Sequence, residues 1–87
     1  PSVPNFYHNL ANAYKDKSDF SKAEELYLKA IAADPNFYFS YLSLLQLYLV
    51  SDQKSKAMDF LKTKAMLAFP NNQNFQLLYN QLKKEQQ

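Results

Sequence analysis

Few side chains in this sequence could do chemistry, and their types and spacing limit what that chemistry could be. The one histidine, His8, stands four residues before Asn12, so on a helix the two share a face. One imidazole is too few ligands for a metal site. Nucleophilic catalysis needs a nucleophile, a base and an orienting group that meet in space, and no such set is visible. Asp16 and Asp19 could pass for a carboxylate pair, but Asp19 has the position of a helix cap. Cysteine and glycine are absent. The first absence excludes disulfides and thiolate metal sites, the second phosphate-cradling loops, nucleophile elbows and dinucleotide fingerprints. Every positive side chain is lysine, and the net charge is +2. Arginine makes the best bidentate phosphate contacts, so nucleic acid is not an expected partner. No catalytic residue, cofactor or metal is expected.

The elements that carry these residues read as helices. Residues 5–17 place Phe6, Leu10, Ala13 and Tyr14, with Tyr7 and Ala11 beside them, at helical spacing. Residues 1–4 read as linker. Ser18-Asp19 gives a break and an N-cap, with Ser21-x-x-Glu24 as an alternative capping box. A second helix over residues 20–33 has a buried stripe of Ala23, Leu26, Tyr27, Ala30 and Ile31, and a Glu25–Lys29 pair on its wet side. Asp34-Pro35-Asn36 ends it, because a residue before proline is pushed out of the helical region.

A third helix over residues 36–50 has almost no polar face, which predicts burial on several sides as the middle helix of five. The apolar run is shorter than the roughly 20 residues that span a bilayer, and Ser40, Ser43 and Gln46 interrupt it. Ser51-Asp52-Gln53 breaks and caps again. A fourth helix, to about residue 68, buries Ala57, Phe60, Leu61, Ala65 and either Met58 or Leu67. A fifth, over residues 73–85, sets Phe75, Leu78, Tyr79 and Leu82 on one side, with the other side and tail polar. No basic segment precedes an apolar core at the start, so no signal peptide is expected and a cytoplasmic location is favoured. The opening Pro-Ser-Val-Pro suggests a piece of a longer protein or a processed form.

The order within these helices repeats. Tyr7 returns as Tyr41, Leu10 as Leu44, Tyr14 as Tyr48 and Ala23 as Ala57, each 34 residues on, while Tyr27 falls on Leu61. Pro70 follows Pro35 by 35 residues, and Lys64 stands where small Ala30 stood. One extra residue is therefore expected in the last turns of the fourth helix, as a bulge. A fixed period of this size marks a stacked supersecondary unit.

Tyr7, Leu10-Ala11, Tyr14, Ala23, Tyr27, Ala30 and Pro35 together resemble the tetratricopeptide repeat, and the second copy keeps Tyr41, Leu44, Tyr48, Ala57 and Leu61. Leu45 departs from the small residue usual at that place. The resemblance implies an all-α fold of two TPR-like helix-turn-helix repeats plus a C-terminal capping helix, as a right-handed α-solenoid fragment. Its divisions are residues 1–4 linker, 5–35 repeat 1, 36–70 repeat 2, and 71–87 capping helix and polar tail. It implies a non-catalytic protein–protein interaction module, in which the first helix of each repeat lines a groove for a peptide segment. The groove residues carried over are Asn5, His8, Asn12, Lys15 and Asp16 in the first repeat, then Phe39, Leu42, Gln46, Leu49 and Val50 in the second. Carboxylate clamping is disfavoured, because His8 and Ser43 replace the usual Lys and second Asn. His8 and Asn12 are expected on a solvated face.

The apolar half of that groove predicts a partner with hydrophobic anchors. The alternative is a structural role, with the same patch forming a homodimer or docking onto the rest of a longer TPR protein. A third reading has Phe39, Leu42 and Leu49 covered as core, by the fifth helix or by a neighbouring repeat.

Overall fold

The computed structural model describes residues 3–86, so Pro1 and Ser2 of the expected linker lie outside the described residues. The described chain is all α-helix, without a strand. Its helices are α1 (Val3–Asp16), α2 (Phe20–Ala33), α3 (Tyr38–Val50), α4 and α5 (Gln73–Glu85). In α4 an α-helical segment Lys54–Phe60 passes into a π-helical turn Leu61–Ala65 and a last α-helical turn Met66–Ala68. The chain divides into two compact units, residues 1–47 and 48–87.

Each helix starts and stops for a local reason. α1 takes in Val3 and Pro4, which were expected as linker, because proline is tolerated in a first turn, where its missing N–H has no acceptor to lose. Asp19 caps α2 as expected, its Oδ1 accepting from Lys22 N at 3.2 Å. α3 begins at Tyr38 rather than Asn36. The Asp34 carboxylate accepts from Asn36 N at 3.0 Å, and Phe37 N donates to Asp34 O at 3.0 Å, so a turn occupies those residues. Gln53 precedes α4 without a side-chain cap, since its amide donates instead to Ser51 Oγ at 2.6 Å. Asn72 caps α5 through Phe75 N at 2.9 Å.

The repeat shows in the backbone itself. Ser18 (φ 63°) and Asp52 (φ 58°) both adopt the left-handed conformation just past a helix end. After each, an amide reaches back five residues: Asp19 N to Tyr14 O at 2.9 Å, and Gln53 N to Tyr48 O at 2.7 Å. This is the Schellman closure, made without the glycine that usually fills it. The two positions are 34 residues apart, as the sequence period requires.

The first unit holds α1, α2 and most of α3. α2 buries Ala23, Leu26, Tyr27, Ala30 and Ile31, the stripe expected from its sequence. Glu25 pairs with Lys22 at 3.0 Å and Lys29 at 3.7 Å on the exposed side, where ion pairs contribute little. α1 is less buried than its pattern predicts, with Ala11 alone fully enclosed. Phe6 and Leu10 are exposed, with Phe6 edge-on to the Tyr7 ring at 5.8 Å, and Tyr14 is half-buried. α3 is not surrounded as a middle helix either. Phe39, Leu42, Gln46 and Val50 form an exposed line, while Ser40, Tyr41, Leu44, Leu45, Leu47 and Tyr48 are buried. Tyr41 OH donates to Pro35 O at 2.6 Å, which ties α3 to the turn before it.

In the second unit Tyr48 meets Phe60 edge-on at 6.1 Å, and α5 packs on α4 through buried Phe75 and Leu82. Leu78 and Tyr79 are half-buried. The π turn is the expected extra residue: Met66 N donates to Leu61 O, five residues back rather than four. It keeps Ala57, Leu61 and Ala65 all fully buried, as Ala23, Tyr27 and Ala30 are in the first copy. Lys64, which replaced Ala30 by count, is thereby turned to solvent. Of the two residues proposed to add to this core, Met58 is half-buried and Leu67 is exposed.

Candidate functional site

The first unit brings one face of α1 against one face of α3, and three polar links join them. His8 Nδ1 and Ser40 Oγ lie 3.0 Å apart in a hydrogen bond. Tyr27, rising from α2, donates its hydroxyl to Asn12 Oδ1 and also meets Ser43. Lys15 Nζ donates to Gln46 Oε1 at 3.4 Å. The links rise together along both helices, so α1 and α3 run parallel with a polar seam between them.

His8 and Asn12 are therefore not on a solvated face, as their sequence suggested. Both are half-buried and engaged, because α3 lies over them. The His8 ring stands edge-on to Phe37 at 5.3 Å and tilted against Tyr27 at 5.6 Å. Burial holds its pKa below the ordinary 6.5, and the Lys15 charge pushes the same way. No carboxylate is among the groups acting on it. Burial also raises the Tyr27 phenol, against the lowering effect of the Ser43 hydrogen bond, with Asp16 adding to the rise. No buried side-chain polar atom of the described residues lacks a partner.

Beside the seam lie the apolar candidates. Phe39 is 63% exposed and Leu42 38%, three residues apart on α3. Phe39 is held edge-on by Phe37 at 6.3 Å and tilted against Tyr38 at 6.3 Å. An aromatic path thus runs from half-buried His8 through Phe37 to exposed Phe39. Of the predicted groove residues, Asn5 is exposed on α1, and His8, Asn12, Lys15 and Gln46 meet at the seam. Leu49 is half-buried and belongs to the second unit. Sequence reasoning missed Tyr27 and Ser40 as parts of this site. Tyr27 reads as a core aromatic, and Ser40 as an interruption of an apolar run. The available signal was Ser40, Ser43 and Gln46 recurring every three residues on a helix otherwise apolar.

Residues 4–37, covering α1, α2 and the turn to α3, match the tetratricopeptide repeat family model. Over these residues the chain is similar to a tetratricopeptide repeat. The helices and the turn geometry repeated 34 residues on agree with a TPR-like helical repeat. Tetratricopeptide repeats in general mediate protein–protein interaction and are not catalytic. A search of curated proteins gives no matching relative. Among the described residues, no group of three or more His, Asp or Glu side chains could hold a metal ion. No helix there is long and apolar enough to cross a membrane.

Proposed function

We propose that this TPR chain is a non-catalytic binding module that takes a segment of another protein along the α1–α3 face. The observation that carries the reading is the pairing of a fixed polar seam with exposed apolar side chains. Lys15–Gln46, Asn12–Tyr27–Ser43 and His8–Ser40 hold the two helices in register. Phe39 and Leu42 stand beside that seam, available to apolar anchors of a partner. A preorganised surface with apolar anchors, rimmed by Asn5 and Gln46, suits a short segment that orders on binding. The absence of catalysis is part of the proposal. Its support is that His8 is already held by Ser40 and by two rings.

The test is a selection of displayed peptides on the 87-residue chain, followed by affinity measurements against Phe39→Ser and Leu42→Ser. Both side chains are exposed, so the variants are expected to keep their helicity. Peptides with apolar anchors are expected to lose about tenfold or more in affinity to either variant. Binders indifferent to both substitutions would refute the site.

A further inference from the structure

His8 is the one histidine of the chain, and cysteine is absent, so it is the one side chain whose ordinary pKa lies in the physiological range. It shares a face of α1 with exposed Asn5, three residues before it, and half-buried Asn12, four residues after. Its Nδ1 is hydrogen-bonded to the hydroxyl of Ser40, a fully buried residue of α3, at 3.0 Å. Phe37 links it to the apolar anchors, edge-on to the imidazole at 5.3 Å and to the Phe39 ring at 6.3 Å. Around the imidazole, α1 contributes the Lys15 ammonium and α2 the Tyr27 phenol. α3 and the turn before it contribute Ser40 and Phe37, which do not titrate. Asp16 acts on the Tyr27 phenol and not on His8.

We infer that the α1–α3 face takes its partner with His8 neutral, so that binding releases a proton and acidification releases the partner. Such regulation rests on the binding function proposed above and acts at the same site. A neutral imidazole has one donor and one acceptor, whereas a charged one has two N–H donors and a full charge to solvate. Ser40 can serve one nitrogen in either form, and the part of the ring left open to water tolerates the charge in the free chain. A segment lying on Phe39 and Leu42 takes that water away, and Lys15 acts on the ring with a charge of the same sign. Burial, and then Lys15, already hold the imidazole below its ordinary 6.5, and the partner adds to the burial. Protonation is therefore harder in the complex than in the free folded chain. As pH falls between those two pKa values, affinity drops by up to about tenfold per pH unit, the limit for one proton.

The test uses the full chain and a selected apolar-anchored peptide with blocked ends and no ionisable side chain. Affinity is measured from about pH 7.5 to about pH 5, wherever circular dichroism shows the chain folded. The single imidazole is followed by NMR over the same range, with and without saturating peptide. Affinity is expected to fall on acidification, approaching about tenfold per pH unit, and the imidazole midpoint to be lower in the complex than in the free chain. His8→Gln, whatever its affinity, is expected to bind without that slope, and the imidazole midpoint decides alone where this variant fails to bind. An affinity that is level or rises on acidification would overturn the inference and leave the binding function standing. So would a midpoint that the peptide leaves unmoved or raises, or a slope that persists in His8→Gln. Failure to obtain any peptide that Phe39→Ser weakens would overturn the binding function, and this inference with it.

Discussion

Deleting Lys64 from the π turn and deleting Lys29 from α2 are the same chemical change, and the structure predicts opposite outcomes. Both side chains are exposed, and Lys29 gives up only a 3.7 Å pair with Glu25 and a place over the Tyr7 ring at 5.9 Å, contacts worth little at the surface. Removing one residue from an α-helix turns everything beyond it by about 100°. In α2 that carries Ala30 off the buried face, forces the larger Ile31 into the place of Ala30 and brings exposed Ala32 into the place of Ile31. An alanine in the place of Ile31 costs about 2–5 kcal/mol, and the overpacking of Ile31 in the space of Ala30 adds about 1–3 kcal/mol. In α4 the π turn already holds one residue more than an α-helix needs. Its removal lets Ala57 and Ala65 stand seven residues apart, as Ala23 and Ala30 do, and every later side chain keeps its direction. The expected change is within about 1 kcal/mol. Thermal unfolding followed by circular dichroism at equal concentrations separates the cases, since in a chain this size 1 kcal/mol moves the melting temperature by roughly 4–8 °C. If the Lys64 deletion destabilises as much as the Lys29 deletion, the π turn is not an accommodated insertion and the two-repeat alignment fails.

Ser18 holds φ 63° without the tolerance of glycine, and Ser18→Gly is expected to stabilise by a few tenths to about 1 kcal/mol in thermal unfolding. Asp52→Gly is expected to gain less, because aspartate accepts that conformation more readily. Leu44→Ala, at a fully buried site, is expected to cost about 2–5 kcal/mol, whereas Leu10→Ala at the equivalent exposed site costs under half as much; urea midpoints compare them. The depressed pKa of His8 means that the unfolded chain binds its proton more readily than the folded one. Its contribution is full above the ordinary 6.5 and is lost as pH falls through the lower folded value, so stability declines on acidification from neutral pH, and His8→Gln flattens that limb.

The helices, their turns and the added residue in α4 could be read from the sequence, because each depends on neighbours a few residues away. Asp19 caps and Pro35 stops by local chemistry, and the 35-residue step between prolines already contained the π turn. Burial was less legible, since it depends on what else is present. Leu10 and Phe6 carry the same apolar signal as buried residues, and only the uncovered side of α1 separates them. α3 looked apolar all round, yet Phe39, Leu42 and Val50 face outward for the same reason. At the site, the sequence supplied His8, Asn12, Lys15 and Gln46 but not their partnerships. His8 meets Ser40 across 32 residues and Lys15 meets Gln46 across 31, distances at which a pattern on one helix carries no information.

The most direct measurement of the binding reading is the amide chemical-shift map of the isotopically labelled chain as a selected apolar-anchored peptide is added. The account predicts perturbations concentrated on Asn5, His8, Asn12 and Lys15 of α1 and on Phe39, Leu42 and Gln46 of α3, absent from the outer face of α5. Perturbations confined to α5, or to Val3, Phe6 and Leu10 on the other face of α1, would contradict it.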